Sequence, residues 1–436
     1  MSETALIVSA TAPVPVDNGK RVVLHGLLDY FVDRLGPDNV HYALLGEAGS
    51  QRPPFPGVAH RLDKPGSASQ LVTLARRFTT DRSYTLQEAM LGSRALSEQI
   101  RALVAWLRPT VEVYDTLRLG QHAPAEPRAP RRVLYLDDLF SVRYERMLAV
   151  AAQDDFAMDP LGQFVDFVPV RLRSIMRCPA VYRPILRLER DRIRRREAEV
   201  VRSFDASLLV NAEEVELLRE RSGVPTVRSI TPLLRPVVNP VRRPVSPPEL
   251  VFLGRLNIPH NDDAVCAFVR TAMGELERRC PDVRLRIIGK GASDTLLALA
   301  AEHPRSVDLE GFVDDLDAVF SRATVMLAPL RFGSGVKIKV LEALARGVPV
   351  LATTTAAEGI PVAADGGDGC LIEDDLARWP ALLADLADGG SAADLSAGAL
   401  AFFARTYARA VVTAQYDAIF DLRPGSAEER DGLIVS

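Results

Sequence analysis

The sequence predicts an α/β protein built as two doubly wound domains, each a parallel sheet covered by helices. Three observations predict it. At 436 residues the chain is too long for one ordinary core and suits two domains of roughly 200 residues each. Short β-branched runs alternate with helical periods along its whole length, the pattern of parallel sheets with helical crossovers. The stretch PVVNPVRRPVSPPEL, residues 236 to 250, can continue neither a helix nor a central strand because of its prolines, and it divides the two halves as a linker.

In the first half, TALIVSA and VHYALLG read as strands around a helix whose apolar positions Leu24, Leu27, Leu28, Phe31 and Leu35 follow helical spacing. RVLYL near 132 to 136 and DASLLV near 205 to 210 read as later strands of the same sheet. After the linker, ELVFLG reads as a strand. Val265, Phe268, Val269, Ala272 and Leu276 mark one helix face, and VRLRIIG, TVMLAPL and VPVLATT continue the strand series. The expected domains are residues 1–240 and 249–395. AGALAFFARTYARAVVTAQYDAIFDL reads as helix with no strand to follow, so residues from about 396 to 436 are expected to cross back to the first domain.

Composition excludes several classes. Hydrophobic residues at 47% and charged residues at 25% are an ordinary globular balance. No apolar run approaches the roughly 20 residues of a membrane-spanning helix. The N-terminal MSETALIVSA lacks the basic region of a signal peptide, so the expected compartment is the cytoplasm. Cys178, Cys266, Cys280 and Cys370 lack the close pairing of zinc or redox sites, and are expected to be buried small apolar residues. The net charge of -4 conceals a basic concentration in residues 171–202.

The segment TVMLAPLRFGSGVKIKVLEALARGVPVLATT carries the chemistry. It reads as strand, glycine loop, helix, strand. Gly333 and Gly335 allow a sharp turn and close approach to a ligand, and Ser334 is placed to cap a helix beginning near Val336. Val336, Val340, Leu341 and Leu344 form the buried face of that helix. Lys337 and Lys339 oppose the positive end of the helix dipole, which is reasonable if an anion such as phosphate sits there. The alternative is a capped amphipathic helix with solvated lysines, Glu342 pairing with Lys339.

This segment resembles the donor-site signature of family 4 glycosyltransferases, retaining enzymes of the GT-B fold with two Rossmann-like domains facing a cleft. ELVFLGRLNIPHNDDAV, RIIGKGA, DLEGFVDDLDAVFSRATVMLAPL and VPVLATTTAAEGI resemble the neighbouring blocks of the same family in order and spacing. The resemblance implies that Glu342 binds the donor ribose, that Gly311, Phe312 and Val313 hold the nucleobase through backbone groups, and that Arg255 faces the diphosphate. It also implies a glycine-rich donor loop at Ser334, Gly335 and Val336, with Lys337 and Lys339 supplying phosphate charge. The chain departs from the family in two places. Ser334 stands where a first glutamate is frequent, and His260 where a lysine is frequent.

TAPVPVDNGKRVVLHGLL resembles the family's opening strand and glycine loop, placing Gly19 close to a phosphate or acceptor. Asp137 and Asp138 lie at the carboxyl end of a predicted strand, where open α/β sheets place ligands. Asp138 and Lys337 are the expected catalytic residues, although an aspartate capping the helix near Phe140 reads as well. The expected activity is transfer of a hexose-type sugar from a nucleoside diphosphate sugar to a hydroxyl acceptor, lipid-linked or a polysaccharide precursor, without a cofactor or metal. A nucleotide-sugar 2-epimerase and a non-catalytic partner of the same fold are the alternatives. A dehydrogenase fits less well, because GKGASD lacks the third glycine of a dinucleotide fingerprint.

Residues 171–202 interleave arginines with apolar residues and read either as a solvated helix face over a buried stripe or as a surface for anionic lipid at the inner membrane face. On the second reading Ile175, Met176, Val181, Ile185 and Leu186 touch the bilayer. Nucleic acid is not an expected partner, since stacking aromatics are nearly absent there.

Overall fold

The computed structural model describes residues 3–16, 19–46, 55–66, 80–81, 84–150, 178–235, 237, 240–333, 335–363, 365–387 and 391–422. The chain divides into two compact units, one of Met1–Leu234 with Val412–Ser436, the other of Arg235–Val411.

The first unit holds a seven-stranded parallel sheet. Its strands are β1 (Ala5–Ser9), β2 (Val40–Leu45), β3 (Val58–Leu62), β4 (Val111–Asp115), β5 (Arg131–Asp137), β6 (Ala206–Leu209) and β7 (Val227–Ser229), in the order β3-β2-β1-β4-β5-β6-β7. Every residue of β1 is buried, and alternate residues serve two cores. Leu6 and Val8 join one apolar cluster, Ala5 and Ile7 the other. A parallel sheet with both faces covered requires this, and it explains the unbroken apolar strands.

One core contains the helix Gly19–Leu35 and the C-terminal helix Arg409–Phe420, where Tyr30 and Phe31 meet Tyr416 and Phe420 edge to face. Arg34 clamps Asp417 through Nε and Nη2 at 2.8 Å each, and Tyr30 donates to the same carboxylate at 2.8 Å. The other core contains the helices Arg94–Leu107 and Pro179–Val200.

The helix Pro179–Val200 is the described part of the basic stretch; residues 171–177, with Ile175 and Met176, lie outside the described residues. Leu186, Glu189, Ile193, Glu197 and Val200 are its buried stripe. Leu186 is therefore a core residue rather than a bilayer contact, because its helical position faces the sheet. Arg196 pairs with the buried Glu88 at 2.7 Å, so part of the basic charge is structural. Ile185 and Leu188 are exposed beside Arg187, Arg194 and Arg195.

The second unit holds a six-stranded parallel sheet of β8 (Glu249–Leu253), β9 (Arg284–Ile288), β10 (Val307–Gly311), β11 (Val325–Ala328), β12 (Val350–Ala352) and β13 (Cys370–Ile372), in the order β10-β9-β8-β11-β12-β13. Val265, Phe268, Val269, Ala272 and Leu276 are all buried, on a helical segment that widens to a π turn at Val269–Met273.

The division falls earlier than the expected boundary. Arg243 and Val245 of the proline-rich segment donate to Ser321 and Arg322 carbonyls at 2.7 and 3.2 Å, which ties that segment to the second unit. The return to the first unit falls later than residue 396. Extended backbone at Ala408 breaks the expected helix into Ala392–Tyr407 and Arg409–Phe420. The former stays in the second unit, with Ser396 Oγ donating to the Gly347 carbonyl at 2.6 Å.

Among the described residues no helix is long and apolar enough to cross a membrane. All four cysteines are free; Cys266 and Cys370 are buried, but Cys178 is exposed at the start of its helix, against the expectation of burial.

Candidate functional site

In a sheet ordered β10-β9-β8-β11-β12-β13, the order in which the chain adds parallel strands reverses between β8 and β11, and loops leaving their carboxyl ends part to opposite faces. Those are the loop of Arg255 after β8 and the glycine loop after β11. The structure joins them at several points. Arg331 pairs with Asp263 through two guanidinium nitrogens, the Phe332 ring meets His260 edge-on at 6.2 Å, and Lys339 donates to Asn261 Oδ1 at 2.7 Å.

The glycine loop has left-handed backbone at Gly333 and Gly335, with φ 138° and 71°. Such values suit residues without Cβ. The helix begins at Ile338, not near Val336, with Lys337 at the N-cap and no side-chain cap bond. Ser334, the expected cap and donor contact, lies outside the described residues. Val336 is half-buried within the loop.

The two lysines are not solvated. Lys337 is 7% exposed and donates to the Gly335 carbonyl at 2.6 Å. Lys339 places its ammonium 4.4 Å from the centroid of the Phe252 ring on β8. Burial, with Lys337 beside it, pushes the Lys339 ammonium down to about 7. Glu342 pairs with Arg346 rather than Lys339, and Arg346 Nε also reaches Asp317 at 2.6 Å. A single guanidinium thus links the signature helix to the helix Leu316–Arg322, which follows Gly311–Val313.

Arg255 is exposed on its loop. That loop is pressed against the end of β9. A Cβ at Gly289 would stand 1.8 Å from the Gly254 carbonyl oxygen, and Gly289 N–H donates to the Gly311 carbonyl at 2.6 Å. The ends of β8, β9 and β10 therefore pack backbone to backbone. Beyond Gly311 the Phe312 ring is 63% exposed with the Lys290 ammonium 5.1 Å from its centroid, and Val313 is half-buried.

The structure thus gathers Arg255, Gly335, Val336, Lys337, Lys339 and Glu342 around one sheet crevice, with Gly311, Phe312 and Val313 at its β10 side. Sequence reasoning missed Asn261, Phe252 and Gly289. Only the last carries a sequence signal, a glycine ending a strand.

Gly19 and Asp138 belong to the first unit, at the carboxyl edge of its own sheet. Gly19 begins the helix Gly19–Leu35, and Lys20 beside it pairs with Asp115 at 2.8 Å, a carboxylate that also accepts from Ser9 Oγ at 2.6 Å. Asp138 is 4% exposed and held by Arg143 through Nε and Nη2. It does not serve as the expected helix cap: the Leu139 and Ser141 amides donate instead to Glu214 and Glu197 at 2.9 and 3.2 Å. After the register shift at the end of β5 and with a φ of 73°, Asp137 is half-buried and accepts from the Tyr135 hydroxyl at 2.7 Å. Burial holds its carboxyl above the ordinary value, against the pull of Lys20. Geometry therefore favours Asp137 over Asp138, which the guanidinium occupies. A cavity of about 550 Å³ opens elsewhere in the same unit, at the ends of β1, β2 and β3, lined by Ala10, Leu45, Gly46, Arg61, Asp63 and Lys64 among others.

Two such parallel-sheet α/β domains define the GT-B fold of glycosyltransferases. Solved structures match over nearly the whole chain. Sucrose-phosphate synthase from Thermosynechococcus elongatus is 12% identical with a TM-score of 0.64, covering 96% of this chain and 98% of that one. Anabaena HepE, solved in complex with UDP and glucose, is 11% identical with a TM-score of 0.60, covering 96% and 99%. In sequence, residues 247–388 match the family model of Glycosyl transferases group 1. A phosphatidyl-myo-inositol mannosyltransferase of Mycolicibacterium smegmatis is 34% identical over 125 residues, which are 28% of this chain and 31% of that protein. The chain thus spans about a third of that relative's length.

Proposed function

We propose that the chain is a retaining glycosyltransferase that moves a hexose-type residue from a nucleoside diphosphate sugar to a hydroxyl acceptor, lipid-linked or a polysaccharide precursor. The observation that carries the reading is the switch-point crevice of the second unit, where a left-handed glycine loop, Lys337, Lys339 and Arg255 converge within the segment matched to the family model. In this reading Arg255, the two lysines and the loop amides around Ser334, Gly335 and Val336 stabilise charge developing on the leaving diphosphate. Glu342 binds the ribose, and Gly311, Phe312 and Val313 receive the base. The fixed cations take the place that a metal fills elsewhere, so no cofactor is required. In the first unit Gly19 contacts a phosphate or the acceptor, and Asp137, the less enclosed of the Asp137–Asp138 pair, orients the acceptor hydroxyl.

Proton NMR of nucleotide sugars incubated with and without a lipid extract tests this. The expected result is acceptor-dependent loss of donor and a product with the donor's anomeric configuration. Donor isomerised in the absence of acceptor would favour the epimerase reading, and calorimetry showing no bound nucleoside diphosphate would overturn both.

The exposed face of the helix Pro179–Val200, with Ile185 and Leu188 beside Arg187, Arg194 and Arg195, supports peripheral contact with anionic membrane. Each arginine near such a surface is worth about 1 kcal/mol. Reversing those three to glutamate should abolish sedimentation with phosphatidylserine liposomes; unchanged sedimentation overturns the idea.

A further inference from the structure

The loop after β8 carries Arg255 and closes on itself through one long bond, Ile258 N–H to the Arg255 carbonyl at 3.2 Å. On one side it is anchored to the end of β9, where Gly254 N–H donates to the Ile288 carbonyl and Leu256 N–H to the Lys290 carbonyl, both at 2.9 Å. On the other side the Asn261 side chain reaches the signature helix. Asn261 is 5% exposed, and its Nδ2 donates to the Arg255 carbonyl at 3.0 Å while its Oδ1 accepts from Lys339 at 2.7 Å. Gly254 leaves room for it, since a Cβ there would stand 3.0 Å from the Asn261 amide carbon.

Chemistry selects asparagine at this point. The charged Lys339 ammonium can only donate, and a backbone carbonyl can only accept, so the residue between them must offer one acceptor and one donor. A primary amide does so in one orientation. Aspartate would keep the bond to the ammonium but turn a lone pair toward the Arg255 carbonyl, and alanine would remove both bonds, leaving that carbonyl only the longer one from Ile258 N–H. Lys339 is itself held by the Phe252 ring, so its position is set by β8 packing.

We propose that Asn261 is a positioning residue that locks the Arg255 loop to the signature helix, and that Lys339 acts on the donor site chiefly through it. The proposal rests on the donor-site reading above. Binding of a diphosphate then requires the guanidinium at a fixed place, and the Lys339–Asn261–Arg255 relay supplies that placement across the point where the two loops diverge.

The test uses the full chain, with UDP and GDP as calorimetric probes. Asn261→Asp and Lys339→Met should each weaken the tighter-bound probe about tenfold, the size expected for losing one hydrogen bond of the relay. In Asn261→Asp donor KM should rise while kcat stays within about threefold. The double variant should be no weaker than either single one, because the relay is already broken. Additive losses, or Asn261→Asp binding as tightly as the unaltered protein, overturn the proposal. If Asn261→Asp does not fold, unchanged binding by Lys339→Met overturns it equally. Failure of the unaltered protein to bind either probe removes the donor-site reading and the proposal with it, a result distinct from loss in the variants alone.

Discussion

At the scale of residues, the side chains richest in chemistry are those whose surroundings change what their type implies. Lys339 reads as a solvated or phosphate-bound lysine, yet it is packed on an aromatic ring and bonded to an amide. Asp138 reads as exposed at a strand end, yet it is buried against Arg143. Glu197 is a third case. It lies on the helix Pro179–Val200 and accepts from the Ser141 amide and hydroxyl, and desolvation pushes its carboxyl up to about 7 although Ser141 and Arg221 favour the charged form. Asp138 adds repulsion. The folded protein thus binds this proton more tightly than the unfolded chain, so the stabilisation is complete below the ordinary carboxylate range and lost as pH rises through about 7. The amount is roughly 3 kcal/mol at most. We expect the calorimetric midpoint of the first unit to fall between about pH 5 and pH 8, and to fall less in Glu197→Gln. Parallel slopes would exclude this assignment.

At the scale of elements, the site depends on backbone closeness more than on side-chain count. Gly289 has φ 155° and carries no atom where the Gly254 carbonyl oxygen stands. Gly289→Ala cannot be accommodated by turning a side chain, because the clash is with backbone. The Arg255 loop must move away from β9, and we expect nucleoside diphosphate affinity to fall at least about tenfold, since a displacement of about 1 Å at such a site is costly. Calorimetric titration, together with a thermal midpoint to show that the unit still folds, checks this; unchanged affinity would show that the loop tolerates the shift. The basic helix makes a related point. Its acids bond internally as well as its bases: Glu189 accepts from the Leu86 and Gln87 amides at 2.9 and 3.2 Å, and Glu197 from Ser141, so two other helix starts depend on it.

At the scale of the molecule, both units use the same strand logic, with order reversing beside the first strand of each sheet. The C-terminal segment from Val412 completes the first unit's core with Val412, Tyr416, Ile419, Phe420 and Leu422, all nearly fully buried. A chain that leaves the first unit at Leu234 and returns at Val412 makes that core depend on its two ends together. The Arg34–Asp417 clamp and the ring contacts of Tyr30 give the return its register.

The sequence by itself determined the two parallel sheets, because period and apolar runs report burial directly: every predicted strand, from ALIVS through VLA, is a strand of the structure. It also singled out the glycine loop, the two lysines and Glu342, because residue type and spacing within one strand-loop-helix are local facts. Tertiary structure alone decided the rest. It decided that the helix starts at Ile338, that Asp138 is buried against Arg143 while Asp137 is half-buried, and that Asn261 joins the Arg255 loop to a lysine about eighty positions away in the chain. Each depends on which backbone arrives from elsewhere, and no periodicity records that. Burial then fixes the chemistry, since a lysine or a glutamate removed from water must find a partner or shift its proton, and its partner is chosen by the fold.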